Sequence, residues 1–238
     1  MPNATPPIQG ARARARAEVT AAILSTASAH VAAHGAAALS LRAVARDLGM
    51  ASSAVYRYFA SRDELLTALI IEAYDSLGEH TEQVVAATAD QAPAQRWVGA
   101  AMAIRDWAIA RPHDYALLYG TPVPGYAAPD DTVASGTRVS LALISIVADA
   151  FTNGGLDEPT DLVISNGTAA SFRGLSRVVQ IPDVRDSTVL AIVLAWTQLF
   201  GLLTFELFGQ TRNFVGDDEL LFRDAATNMA HRIGLADH

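Results

Sequence analysis

The stretch Leu41-Arg42-Ala43-Val44-Ala45-Arg46-Asp47-Leu48-Gly49-Met50-Ala51-Ser52-Ser53-Ala54-Val55-Tyr56-Arg57-Tyr58-Phe59 decides the fold. In its first half Leu41, Val44, Ala45 and Leu48 stand at i, i+3, i+4 and i+7, which puts four apolar side chains on one face of a helix. Gly49 ends that helix, because glycine takes the left-handed conformation just past a helix end without steric cost. Ser52 is expected to cap the next helix. Two short helices joined by a tight turn follow, the geometry of a helix-turn-helix. In the second half Val55 and Phe59, one turn apart, face inward. Ser52, Ser53, Tyr56, Arg57 and Tyr58 are left on the other sides, with side chains that bond phosphates and base edges.

Ser61-Arg62-Asp63-Glu64 comes next, a capping box with Ser at the N-cap and Glu at N3 that starts a further helix sharply. With this box, the Tyr56-Arg57-Tyr58-Phe59 run resembles the DNA-binding domain of the TetR/AcrR family of bacterial regulators, whose recognition helix ends in Tyr-x-His/Tyr-Phe. The resemblance covers about residues 12 to 75. Carried over residue by residue, Leu41 and Arg42 match positions from which the family touches the DNA backbone and a base edge, which makes Arg42 a candidate contact. Ser52, Ser53 and Ala54 would face the groove, and Tyr56 and Tyr58 would bond phosphates. Arg57 departs from the aromatic often found at its position, and either adds a phosphate contact or pairs with guanine. Arg62 stands where the family commonly binds phosphate.

The chain has 238 residues, 51% of them hydrophobic and 18% charged, enough for one large or two modest domains with buried cores. It has no cysteine, which excludes disulfides and thiolate metal sites and is compatible with a cytoplasmic location. The net charge of −8 divides unevenly: residues 1–66 carry seven Arg against four acids, and the remainder carries ten Arg against 21 acids. Binding to nucleic acid depends on the local basic face. The acidic remainder either confines DNA to one end or simply keeps the protein soluble. Every basic residue is Arg, a compositional bias.

Along the chain, residues 1–11, with Pro2, Pro6, Pro7 and Gly10, read as a disordered arm. No apolar run of a secretory signal stands at the start. Arg12, Arg14 and Arg16 fan around the start of a first helix, placed at about Ala13 to His34, with Val19, Ile23, Ala27 and Val31 as its inward line. His30 and His34 lack a third ligand and suit the negative end of the helix dipole better than a metal. Ser40 is placed to cap the second helix. Residues 12–66 form the DNA-binding domain and 67–238 the rest, with helices over 93–111, 113–119, 132–153, 159–178, 186–209 and 217–233. The nearly uninterrupted apolar run from Val189 to Phe205 reads as a fully buried helix, not a membrane span, because Thr197, Gln198 and Glu206 interrupt or follow it and no basic cluster flanks it. The fold class is therefore all-α.

Walker loops, Gly-x-Ser-x-Gly elbows and metal boxes are missing from the sequence, so no catalytic residue, cofactor or metal is assigned. The C-terminal part reads instead as a small-molecule sensor, with polar groups among apolar helices as candidates: Trp107, His113, Tyr115, Asn166, Arg173, Arg177 and Gln198. The Pro/Gly-rich loop Tyr119–Pro129 and Trp196-Thr197-Gln198-Leu199-Phe200-Gly201 resemble a TetR subclass marked by Trp-x-x-x-His-Gly, with Phe200 in place of the His. The family resemblance implies a homodimer through the last two helices, a double-stranded DNA operator of two half-sites, and release by an effector that alters the spacing of the recognition helices. A repressor is the first reading; an activator, or a ligand-binding or interaction protein without operator recognition, is the alternative.

Overall fold

The computed structural model describes residues 7–179 and 184–237, with side chains given for 10–172 and 184–237. The described residues are all-α: α1 (Pro7–His34), α2 (Leu41–Asp47), α3 (Ser52–Val55), α4 (Arg62–Ala87), α5 (Pro93–Ala110), α6 (Pro112–Tyr119), α7 (Thr132–Asn153), α8 (Asn166–Val179), α9 (Asp186–Leu207) and α10 (Asp218–Ile233). They form two compact units, Met1–Ala73 with His113–Val133, and Tyr74–Pro112 with Ala134–His238.

In the first unit α1 begins at Pro7, so residues 7–11 are helical where the sequence suggested an arm. Proline is tolerated at the first helical position because its missing N–H would have no intrahelical partner there. Ile23, Ala27 and Val31 are buried as expected and Val19 is half-buried; Leu41, Val44 and Ala45 of α2 and Val55 and Phe59 beyond the turn are buried too. The turn is a Schellman motif: Gly49, at φ 65°, donates to Arg46 O, and Met50 N donates to Ala45 O. Neither expected serine cap forms. Ser40 occupies the N-cap of α2 without a side-chain bond, and Ala51 holds the N-cap of α3, which makes Ser52 its first residue. The box at Ser61 does form: Ser61 Oγ accepts from Glu64 N at 3.1 Å, and Glu64 Oε2 accepts from Ala60 N, one residue further back than usual, at 2.6 Å. α6 and the loop after it pack within this unit, where the Tyr126 hydroxyl lies 2.9 Å from Thr67 Oγ1 of α4.

In the second unit α10 packs on α5 and α9. Asp217 caps α10 through Leu220 N, and Gly234, at φ 96°, closes it. The chain end then returns: Asp157 N donates to Gly234 O at 2.8 Å and Ala236 N to Gly155 O at 3.0 Å. These bonds hold residues 155–157 extended, and Glu158 accepts from Arg185 N and Thr188 Oγ1 at the start of α9. The segment after Gly155 is thus held at the chain end and at α9, and α8 starts at Asn166 rather than at 159. Arg105 of α5 forms a fork with Glu206 of α9, Nε to Oε2 at 3.0 Å and Nη2 to Oε1 at 2.6 Å. Burial opposes its charge, but Glu206, ahead of Glu219, holds the guanidinium above its ordinary pKa. Arg138 of α7 grips α4 through Glu82 and Asp75. α7 and α9 are long and apolar enough to cross a membrane by composition alone, yet both contribute to this core. α9 is not fully buried: Val189, Ile192, Leu199 and Leu203 face inward, while Leu194, Phe205 and the adjoining Phe208 lie exposed.

Candidate nucleic-acid interface and ligand cavity

The burial of Val55 and Phe59 fixes the rotation of α3 and of the turn that continues it. Ser52, Ser53 and Arg57 are consequently exposed, as is Tyr56 at 45%, with Ala54 and Tyr58 half-buried beside them. Arg42 is exposed on α2. Sequence reasoning missed the partner of Tyr58: the Arg16 guanidinium carbon stands 5.0 Å from its ring centroid, a cation–π contact that ties the start of α1 to the end of the recognition segment. The i+4 repeat of Arg12 and Arg16 on the arginine-rich start of the first helix was the available signal.

Arg62 is used inside the protein. Its Nη2 donates to the carbonyls of Ala36 at 3.0 Å and Ala37 at 3.4 Å, and Nη1 to Asp63 at 3.2 Å, which ties the start of α4 to the turn after α1. His30 Nε2 lies 2.6 Å from Asp47 Oδ2 and fastens α1 to α2. Its hydrogen bond, helped by Arg46, holds the Asp47 carboxyl below its ordinary value against a smaller opposing effect of burial. His30 is thereby engaged by a carboxylate rather than poised with His34 for a metal.

A cavity of about 310 Å³ opens between α5, α7 and α9. Trp97, Thr137, Ser140, Leu141, Leu143, Ile144, Val189, Ile192, Val193 and Trp196 line it. None of the residues proposed from sequence whose side chains are described does. Trp107 is buried and donates from Nε1 to Ser76 Oγ at 3.0 Å, an oxygen that Arg111 also reaches at 2.8 Å. Tyr115 is fully buried in α6, its ring 5.1 Å from that of Tyr119. His113 borders a cleft of the first unit with Val31, Gly35 and Pro122, and Gln198 borders a polar groove with Glu158, Asn228 and Arg232. Asn166 is exposed at the start of α8, and the side chains of Arg173 and Arg177 lie outside the described residues. The walls of this cavity are mainly apolar and aromatic, unlike the polar candidates read from the sequence. Phe200, standing where the subclass has His, packs its ring on Trp196 at a centroid distance of 4.5 Å with the planes tilted by 45°, and so helps orient a cavity wall.

A short exposed helix, positioned by a buried Val/Phe pair after a tight glycine turn, defines a helix-turn-helix DNA-binding protein. The family model described as bacterial regulatory proteins, tetR family, matches residues 23–69, and the one described as tetracyclin repressor-like, C-terminal domain, matches residues 97–229. HTH-type transcriptional regulators of Mycobacterium tuberculosis and Mycobacterium bovis are each 38% identical over 234 residues, 96% of this chain and 97% of theirs. The crystal structure of SCO4313, described as a regulatory protein, superposes with a TM-score of 0.74 at 33% identity, over 95% of this chain and 100% of that one. The TetR family transcriptional regulator PfmR of Thermus thermophilus shares the fold, with a TM-score of 0.57 at 17% identity over 88% of this chain and 97% of its own. The chain belongs to the TetR family of bacterial transcriptional regulators.

Proposed function

We propose that this regulator is a homodimeric repressor that grips a two-fold operator and releases it when a small molecule enters the cavity between α5, α7 and α9. The observation that carries the reading is the coexistence of an exposed recognition segment with a preformed apolar cavity in one chain. Arg42, Ser52, Ser53, Ala54, Tyr56, Arg57 and Tyr58 form the DNA face, and Arg16 steadies Tyr58. Arg62 acts as a positioning residue, since its guanidinium already serves two carbonyls.

The exposed Leu194, Phe205 and Phe208 of α9 and its end, with Leu220 and Leu221 of α10, support a dimer contact through the last two helices. One recognition helix touches too few bases to specify a site, so two half-sites about 34–36 Å apart, or a multiple of that, are required. Transmission runs along helices. A ligand that displaces α7 acts through Arg138 on Asp75 and Glu82 of α4, and α4 begins at the capping box directly after the recognition segment. A coupling of about 1–3 kcal/mol changes operator affinity about 5- to 150-fold.

Fluorescence anisotropy with the DNA upstream of the protein's own coding region tests the DNA face. Wild type is expected to bind that DNA in preference to random duplex, and Arg42→Ala/Tyr58→Ala to lose the preference while it stays folded, as circular dichroism checks. A double variant that binds like wild type would contradict the assignment.

A further inference from the structure

The start of α1 is longer than its packing requires. Residues 11–18 are helical and exposed on every side, and Val19 is the first half-buried residue after them. Alanine and arginine are strong helix formers, which keeps the run Ala11-Arg12-Ala13-Arg14-Ala15-Arg16-Ala17 helical without a core beneath it. At about 100° per residue, Arg12 and Arg16 stand on one face, about 40° apart, and Arg14 on the opposite one. The two faces differ in charge. Glu18 stands one turn beyond Arg14 on its side, whereas Arg12 is followed one turn on by Arg16, a like-charge spacing that disfavours a helix. Among the described residues no carboxylate pairs with Arg12, Arg14 or Arg16. The Arg16 guanidinium lies instead 5.0 Å from the centroid of the Tyr58 ring. Tyr58 closes the recognition segment, so this contact turns the Arg12/Arg16 face toward that segment and Arg14 away from it.

We propose that this face is a further DNA contact, in which Arg12 takes a phosphate beyond the one assigned to Tyr58 and Arg16 is the positioning residue that holds the Tyr58 ring. This rests on the reading of Tyr58 as part of the DNA face. At 1.5 Å per residue Arg12 lies about 6 Å further along the helix than Arg16, which carries the basic surface about one turn outward from the recognition segment. A phosphate there offsets the repulsion between Arg12 and Arg16, and its release of counterions adds affinity without adding sequence preference. Duplex DNA suits this face better than an anionic membrane, because the residues between the arginines are alanines and offer no large apolar group to a lipid interface.

The test compares the full-length wild type with Arg12→Gln and Arg14→Gln, two exposed substitutions that each remove one charge, keep a good helix former and are expected to leave the melting temperature unchanged. Binding is followed against salt on two duplexes, one selected from genomic DNA by binding to wild type and one of random sequence, and phosphate ethylation interference is read on the selected duplex. Arg12→Gln is expected to reduce the salt slope on the selected duplex by about two, one for each subunit of the dimer. It should also lose interference at one phosphate in each half-site, beside the phosphate lost in Tyr58→Phe. Arg14→Gln, the same change of charge on the opposite face, leaves both readouts as in wild type. Arg12→Lys keeps them as well, because a phosphate needs the charge rather than the guanidinium fork. An unchanged slope in Arg12→Gln, equal losses in Arg12→Gln and Arg14→Gln, or a lost slope with every interference position retained would each overturn the inference. A wild type without sequence preference, whose slope on the random duplex falls in Arg12→Gln alone, would sink the operator reading and leave the α1 contact standing. A wild type that prefers its selected sequence, with Arg12→Gln indistinguishable from it, would do the reverse.

Discussion

Gly234 stands at φ 96°, and a Cβ placed on it would collide with the carbonyl oxygen of Asp157. Gly234→Ala is therefore expected to lower the unfolding free energy by more than about 3 kcal/mol, through both the left-handed backbone and the collision. Urea denaturation checks this, and a loss below about 1 kcal/mol would contradict the account of the chain end. Glu82 allows a prediction with a sign. Its bond to Arg138 holds its carboxyl below the ordinary value against a smaller opposing effect of burial. A carboxyl lowered on folding stabilises fully above its unfolded pKa, about 4.3, and that stabilisation fades as pH falls through the lowered value. Because Glu82 is 43% exposed, Glu82→Gln should cost under about 1 kcal/mol at neutral pH, and the two stability curves should meet below about pH 4. A difference that persisted there would refute the titration argument. At the proposed DNA face, Arg42→Ala should reduce the salt slope of operator binding by about two, one for each subunit of the dimer. At this scale the sequence was legible where a residue's role is local, as with Gly49, the Ser61/Glu64 box and the inward Val55 and Phe59. It was not legible where partners are distant: the Arg16–Tyr58 stack, the Arg62 bonds to Ala36 and Ala37, and the His30–Asp47 pair all join separate helices.

Between elements, the Arg105–Glu206 fork joins α5 to α9 with both side chains largely buried. Arg105→Ala leaves Glu206 poorly solvated without its partner and should cost about 3–5 kcal/mol, whereas Arg105→Met with Glu206→Leu should recover most of that loss. Thermal or chemical unfolding of the two variants decides, and equal losses in both would contradict it. Helix periods marked the long elements well, since 132–153 stands as read and 186–209 ends two residues early at Leu207. The start of α8 was misplaced because residues 155–157 are held by the returning chain end, and Glu158 by the start of α9, nonlocal bonds that leave no periodic trace. The cavity between α5, α7 and α9 escaped for a related reason. Leu141, Ile144, Val189 and Ile192 are apolar residues in helical sequence, and only packing shows that three helices leave a cavity beside them.

At the scale of the whole molecule, the proposed dimer contact rests on the exposed Leu194, Phe205 and Phe208 at α9 and Leu220 and Leu221 on α10. Phe205→Asp is expected to convert the protein to monomers in sedimentation and to weaken operator binding at least tenfold, while the monomer stays folded. A variant that remained dimeric would place the contact elsewhere. The measurement that tests the central claim most directly is footprinting of the wild-type protein on genomic DNA selected by binding to it. The account predicts two protected half-sites related by two-fold symmetry, with centres a whole number of helical turns apart, both lost together in Phe205→Asp and in Arg42→Ala/Tyr58→Ala. Selection that yields no preferred sequence, or a single unsymmetrical site held equally well by the Phe205 variant, would contradict it.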